Sequence, residues 1–332
     1  MSKADAAAAI LWVGATFYAL FGGADFGGGV WDLVAGGPER GQRPRDLIQR
    51  SLTPVWEANH VWLIFVLVVL WTAFPPAFSA IFTTLYVPIA LAALGIVLRG
   101  AGFAFRKSIV GLQGRRAMGA TFAVSSVITP FFMGTVVGAI AAGNVPAAGN
   151  GDAFSTWLQP LPLLIGAMFA ASGAYLAAVF LVGDAARGDD EDLEGYFVRR
   201  ALAAAVVAGA FAVAGVFALH SEARYVFDRL LDQGLPLVIL SGICGIGVLA
   251  SLLRDWRGPL RPLAAGAVAA VIWGWGVAQF PYLLPTSLKI TQSAAPPDTL
   301  SAVIVVFLVA AVVVLPALGL LYWLSQRELI GE

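Results

Sequence analysis

The stretch that decides the fold reads TPVWEANHVWLI, residues 53–64, and it opens a long apolar run. Pro54 suits the first position of a helix, where its missing N–H costs little. Glu57 and His60 stand three residues apart, so a helix places both side chains on one face. The run is apolar enough for a membrane helix, in which ionisable groups are expensive and usually face protein or water. We therefore expect this face to point at something functional.

Composition places the chain among membrane proteins. Of its 332 residues, 59% are hydrophobic and only 12% are charged, and the mean hydropathy is +0.84. Soluble domains carry roughly 25% charged residues. The formal net charge is zero, so nothing points to nucleic acid as a partner. A single cysteine, Cys244, excludes a disulfide framework and a cysteine-built metal site.

Nine apolar runs alternate with short loops, and each is long enough to cross the ~30 Å of hydrocarbon in a bilayer. The runs cover residues 6–35, 55–75, 80–104, 117–142, 160–184, 198–220, 235–253, 262–282 and 299–324. Prolines between the second and third runs, within residues 73–77, predict a tight hairpin turn. The chain is therefore predicted to be an all-α polytopic membrane protein, with residues 1–332 forming a single integral membrane domain.

Positive charge falls almost entirely on one side of this layout. All but four of the 20 lysines and arginines lie in or next to the loops that follow the odd-numbered spans, or in the C-terminal tail. The four exceptions are Lys3, Arg224, Arg229 and Lys289. Cytoplasmic loops of membrane proteins carry an excess of lysine and arginine. The N-terminus is therefore predicted to lie outside and the C-terminus inside.

Two acids lie near the inner ends of the first two spans. Asp25 stands in FGGADFGGG, residues 21–29, where the glycines allow neighbouring helices to approach closely. Glu57 opens the second span at a similar depth, so the two carboxyls could relay protons from the cytoplasm. Each also has a structural interpretation: Asp25 as the hydrogen-bonded partner of another helix, and Glu57 as a first-turn acid favoured by the helix dipole.

Other charged residues are interpreted more plainly. Asp32 is predicted to be a boundary residue, and the acidic run at 189–192 a solvated surface. Arg99 and Arg106 bracket RGAGFAFR at the end of the third span, where we expect them to anchor the helix by extending to the interface.

The chain has only two histidines, His60 and His220. His60 could be a proton relay, a metal ligand or an ordinary core histidine, whereas His220 lies at an outer span boundary. Two haems need about four axial ligands, usually His or Met, so this chain alone is not expected to hold a redox chain or a catalytic metal. Trp62, deeper on the same helix, either lines a passage or packs in the core.

Four motifs together resemble subunit II of the cytochrome bd-type quinol oxidases, including the branch called cyanide-insensitive oxidases. The motifs are ADFGGG at 24–29, PVWEANHVWLI at 54–64, AFP at 73–75 and RGAGFAFR at 99–106. The Trp-acid-x-Asn-x-x-Trp element, which includes Trp56 and Asn59, is the most specific of them. The resemblance is dense over roughly the first 110 residues and rests on length and helix count beyond.

The resemblance implies a nine-helix protein of the bacterial inner membrane, built as two four-helix bundles plus a peripheral helix. Its partner would be a subunit I that holds haem b, haem d and the quinol site, with room for a small single-helix accessory subunit. In the family, the two acids that match Asp25 and Glu57 are associated with a proton path, and the tryptophan that matches Trp62 with an oxygen passage. His60, where relatives often carry Gln, is counted here with the proton path.

Our hypothesis is therefore a haem-free subunit of a quinol:oxygen oxidoreductase that stabilises the haem subunit and helps to conduct protons. The first alternative is a proton-coupled secondary transporter, in which intramembrane acids couple ion and substrate movement. The second is a purely structural assembly partner, in which Asp25 and Glu57 have no kinetic role.

Overall fold

This computed structural model describes residues 2–37, 40–52, 56–106, 112–188 and 190–326. Over those residues it is almost entirely helical, with a π-helical turn at Tyr18–Gly22 that joins α1 to α2. The helices are α1 Lys3–Phe17, α2 Gly23–Leu33, α3 Gln42–Leu52, α4 Trp56–Ala73, α5 Pro75–Thr84, α6 Tyr86–Arg106, α7 Leu112–Ala141, α8 Pro160–Arg187, α9 Glu191–Glu222, α10 Arg224–Asp232, α11 Leu235–Leu253, α12 Leu260–Gln279, α13 Ile290–Ser293 and α14 Pro297–Gln326.

Eight helical segments in the described part of the chain are long and apolar enough to cross a membrane. The first combines α1, the π-helical turn and α2, and the others are α6, α7, α8, α9, α11, α12 and α14. The bent pair α4 and α5 gives a ninth span if it is counted as one. The predicted all-helical polytopic architecture is confirmed, while the predicted orientation of the termini stays a prediction.

The break between the second and third spans is larger than the predicted turn. α4 ends at Ala73, and Pro75 begins α5, whose axis is bent by 117° from that of α4. Because proline has no N–H, the α4 hydrogen-bond ladder cannot continue through it. The carbonyl of Ala73, the last residue of α4, accepts a hydrogen bond from the backbone N–H of Ala295, at 2.8 Å. Residues 80–84 therefore belong to α5, and the third span begins at Tyr86.

The eighth span ends earlier than predicted and gives way to a small hairpin. α12 stops at Gln279, after which β1 Tyr282–Leu284 pairs antiparallel with β2 Leu288–Lys289. Thr286, between the strands, has a φ of 61°, a conformation that is rare for a β-branched residue. Strands of two and three residues are too short to show the alternation of apolar and polar residues that is typical of a β-strand. The apolar run alone therefore predicted a longer helix.

α8 is the central helix and packs against α2, α7, α9 and α12. Its Leu176, Val179 and Val182 are fully buried in a shared apolar core. α2 approaches α8 through small residues, since a Cβ placed on Gly173 would lie 2.7 Å from the carbonyl oxygen of Gly23. The prediction that the glycine-rich motif allows close helix approach is confirmed.

α3 connects the first two spans and is held against the body of the protein. Its Leu47 and Ile48 are buried in the core around α8. Arg43 Nη2 donates to both carboxylate oxygens of Asp190, at 2.8 and 2.7 Å. Asp190 also accepts from the backbone N–H of Leu193 and so caps α9. The acidic run is therefore more than the solvated surface predicted from sequence, because Asp190 ties α3 to α9.

Candidate functional site

A buried ion pair joins the first and third spans. Arg99 of α6 donates from Nη1 to Asp25 Oδ2 at 2.7 Å and from Nη2 to Asp25 Oδ1 at 2.9 Å. Nη2 also donates to the backbone carbonyl of Asp25 at 2.9 Å. Asp25 is 1% exposed and Arg99 is 4% exposed. The expectation that Arg99 extends to the interface is wrong, because its guanidinium turns inward to neutralise a buried carboxylate.

The guanidinium of Arg99 is enclosed on its other sides as well. Its Nε donates to Ser126 Oγ of α7 at 3.0 Å. The rings of Phe26 and Phe122 each have their centroid 4.8 Å from Cζ, so the cation lies against two aromatic faces. Gly29 leaves the space that Ser126 occupies, because a Cβ at Gly29 would lie 2.2 Å from that hydroxyl oxygen. Three helices therefore cooperate to hold one side chain.

Because the ion pair is enclosed by protein, the free energy of each charge depends on the presence of the other. Removing one member of a buried pair typically costs ~3–5 kcal/mol, because the other charge is left uncompensated. Replacing both members by neutral groups costs far less, since no isolated charge remains.

A cavity of about 310 Å³ lies beside the ion pair. Its polar wall consists of Asp25, His60 and Arg99. Its other lining residues are Ile96, Val97, Gly100, Ala101, Phe103 and Phe122. The ring of His60 meets the ring of Phe26 edge to face, with centroids 5.9 Å apart. The structure thus brings Asp25 and His60, two of the three residues predicted for a proton path, to one cavity.

The third predicted residue, Glu57, belongs to the first turn of α4, one turn before His60. Its side chain lies outside the part of the structure that is described, as do the side chains of Trp56, Asn59 and Arg106. The predictions for these four residues therefore rest on the sequence.

Trp62, predicted to line an oxygen passage, is 9% exposed and packs among aromatic rings. Its ring stacks on Phe17 with centroids 4.5 Å apart and meets Phe65 edge to face at 6.0 Å. These contacts are those of a core residue, the other interpretation that the sequence allowed. They place Trp62 directly beside the π-helical turn that follows Phe17.

The π-helical turn precedes Asp25 on the first span. It includes Tyr18, whose hydroxyl donates to Met133 Sδ of α7 at 3.6 Å. A π-helical turn widens the helix and rotates all residues that follow it about the axis, and such turns are frequent at functional sites. The direction in which Asp25 points is therefore not the one that an unbroken helix from Lys3 would give it.

Asp32, predicted to be a plain boundary residue, is instead buried at 5% exposure. Its Oδ1 lies 2.9 Å from Nε of Arg45, which comes from α3. A buried carboxylate is retained only when a cation or donor compensates it, so this pair explains why Asp32 can leave the surface. The first span thus carries two buried acids, each with an arginine from another helix.

Sequence reasoning missed the partnership of Arg99 and the role of Ser126. One signal in the sequence was the depth of Arg99 in the membrane, because it stands about two helical turns before α6 ends at Arg106. An arginine so far from the interface needs an anion within the protein. Within the described residues no group of three or more His, Cys, Asp or Glu side chains is arranged to hold a metal ion.

The fold and the enclosed ion pair define a polytopic helical membrane protein whose ionisable groups in the membrane are surrounded by protein. The family model described as cytochrome bd terminal oxidase subunit II matches residues 4–325, so the chain belongs to that family. The resemblance inferred from the sequence motifs is confirmed. The chain is accordingly a multi-pass protein of the bacterial inner membrane, and the transporter alternative is not favoured.

Individual relatives extend over nearly the same length. A putative cytochrome bd menaquinol oxidase subunit II of Bacillus subtilis is 20% identical over 97% of this chain and 95% of its own. The cytochrome bd-I ubiquinol oxidase subunit 2 of Escherichia coli K12 is 26% identical over 86% of this chain and 82% of its own. A chain of the bd oxidase structure from Geobacillus thermodenitrificans matches with a TM-score of 0.79 and 22% identity, covering 100% of both chains, which shows that the fold is shared.

Proposed function

We propose that this chain is the haem-free subunit II of a quinol:oxygen oxidoreductase and that it helps to bring protons from the cytoplasm to its partner. Its partner is a subunit I that holds haem b and haem d and oxidises quinol. Family membership supports the assembly, and the near absence of histidine supports the division of labour between the two chains.

The observation that carries the proton path is the cavity beside the ion pair. Asp25 and His60 come from different spans, yet both line this cavity of about 310 Å³. Glu57 stands one helical turn from His60 on α4, toward the side that the arginine distribution predicts to be cytoplasmic. A carboxyl and an imidazole can each bind a proton and release it again, so we assign Glu57 and His60 to two successive steps of the path, with His60 at the cavity wall.

The experiment that tests the path is Glu57→Gln in the assembled complex. The amide keeps the size of the side chain but cannot carry a proton, so oxygen consumption should fall by about 10²-fold or more while haem content is unchanged. Glu191→Gln, an exposed first-turn acid of α9, is the matched control and should have no effect. Normal turnover in Glu57→Gln would remove Glu57 from the mechanism and support the structural-partner alternative.

The same resemblance assigns Trp62 to an oxygen passage through this subunit. The passage would run beside the ring stack of Trp62 and Phe17, where α4 faces the π-helical turn of the first span. Oxygen is small and apolar, so a path among aromatic rings would suit it, whereas protons need the polar wall of the cavity. The two proposed routes are therefore separable by mutation.

A further inference from the structure

We propose that Asp25 does not carry protons but serves as the fixed counter-ion of Arg99, a positioning residue that keeps the wall of the cavity electrically neutral. This inference rests on the proposed proton path and assigns a different role to one of its three residues. It follows from how completely the structure uses the hydrogen-bonding groups of the pair.

Both carboxylate oxygens of Asp25 are engaged by Arg99. Oδ1 and Oδ2 each accept from a different nitrogen of Arg99, at 2.9 and 2.7 Å. Protonation of either oxygen would cancel the carboxylate charge and leave the buried guanidinium without its counter-ion, which is costly inside the protein. A proton carrier must be able to turn from the group that supplies the proton to the group that receives it. The bidentate contact with Arg99 holds the Asp25 carboxylate against that motion.

Arg99 cannot move away to release Asp25. Its Nε is held by Ser126 at 3.0 Å, its Nη2 is also held by the Asp25 backbone, and the rings of Phe26 and Phe122 each have their centroid 4.8 Å from Cζ. At 4% exposure it has no solvent in which to place its charge. The guanidinium is thus a permanent cation beside the cavity, and an anion must remain next to it throughout turnover.

The charged and titratable side chains that face the cavity in the described structure are Asp25, Arg99 and His60. Because the first two neutralise each other, the potential along the wall is close to that of an uncharged surface. A proton that moves past a neutral pair meets little net repulsion, whereas a proton that moves past an isolated guanidinium is repelled. Asp25 therefore acts on proton transfer through Arg99.

A double-mutant cycle distinguishes a counter-ion from a carrier. Asp25→Asn leaves Arg99 unpaired and should lower oxygen consumption on the order of a hundredfold, because an uncompensated unit charge close to the path repels the proton at an effective dielectric constant of about 20. Adding Arg99→Gln removes that charge, so the double variant should recover to within about threefold of wild type and keep the wild-type pH profile. Haem content and subunit ratio are measured for every variant to verify assembly.

Each outcome decides the matter. If Asp25→Asn and the double variant are equally inactive with full haem content, Asp25 carries protons and the proposal is wrong, although the proton path stands. If neither variant changes turnover while Glu57→Gln does, Asp25 has no influence on the path and the proposal is again wrong. If Glu57→Gln is also without effect, the proton path itself fails.

A reversed pair covers the case in which the neutral variants do not assemble. Asp25→Arg combined with Arg99→Asp keeps both charges and moves the carboxylate to α6. Turnover near the wild-type rate supports the counter-ion role, because no carboxylate then remains at position 25. Loss of turnover with haem retained overturns it.

Discussion

Gly27 of α2 lies against Gly173 of α8 so closely that a Cβ on Gly27 would be 1.9 Å from the Gly173 carbonyl oxygen. No rotation of a side chain can relieve such a contact, because the obstructing atom belongs to the backbone of the central helix. The position of Asp25, two residues before Gly27, therefore depends on the absence of a single carbon atom.

We expect Gly27→Ala to force α2 and α8 apart and to lower stability by at least the ~1–3 kcal/mol typical of overpacking. Thermal denaturation of the purified complex and the yield of haem-containing complex would measure this. Gly209→Ala in α9 is the matched control, because no atom lies within 4 Å of a Cβ placed there. Equal stability of the two variants would show that α2 can shift without cost.

Ser126→Ala should loosen the enclosure of Arg99 without removing a charge. The substitution leaves the buried Nε of Arg99 without its acceptor, an omission that costs about 1–3 kcal/mol. Ser125→Ala is a close control, since the neighbouring hydroxyl donates only to carbonyls of its own helix, those of Thr121 and Phe122. A lower denaturation temperature for Ser126→Ala than for Ser125→Ala is the expected result, and the reverse order would contradict the assigned contact.

The ion pair of Arg43 and Asp190 should make stability depend on pH in the acid range. Hydrogen bonds from Arg43, and then from the Leu193 backbone, hold the pKa of Asp190 below its ordinary value. The pair therefore stabilises the protein above the ordinary aspartate pKa of about 3.9, and this contribution is lost as pH falls through the lower pKa of the folded state. Asp190→Asn keeps the helix cap but not the pair.

Denaturation temperatures at neutral and acid pH would check this prediction. Wild type should exceed Asp190→Asn at pH 7, and the difference should shrink in acid. Asp192→Asn is the comparison variant, because Asp192 is highly exposed and lies 3.7 Å from Arg43. A difference between wild type and Asp190→Asn that does not change with pH would mean that the pair is not the source of the stability.

Replacing Trp62 tests the oxygen passage. If the ring borders the passage, Trp62→Leu should change kcat/KM for oxygen while kcat at saturating oxygen stays near the wild-type value. Lost packing against Phe17 should also lower stability by a few kcal/mol, up to about 3–5 for complete truncation of a buried aromatic residue. Trp71→Leu, on the same helix but with an exposed ring, controls for the loss of an indole. An unchanged kcat/KM for oxygen together with lower stability would leave Trp62 as a core residue alone.

The membrane class and the all-helical architecture could be predicted from sequence because both depend on local composition. The partner of Asp25 could not be predicted from sequence, because Arg99 is 74 residues away. Helices that are apolar on every side show no hydrophobic periodicity that would indicate which face packs against which neighbour. The same limit explains Asp32, whose depth depends on Arg45 from a helix outside the membrane runs. The start of the third span and the end of the eighth were misplaced because prolines and a short hairpin interrupt apolar stretches without making them polar.

The bond between the carbonyl of Ala73 and the N–H of Ala295 has a consequence for how the protein is made. A ribosome reaches the donor only after more than two hundred further residues have been synthesised, so this contact forms late in synthesis. Ala295 stands two residues before α14, so the bond ties the start of the last helix to the first third of the chain.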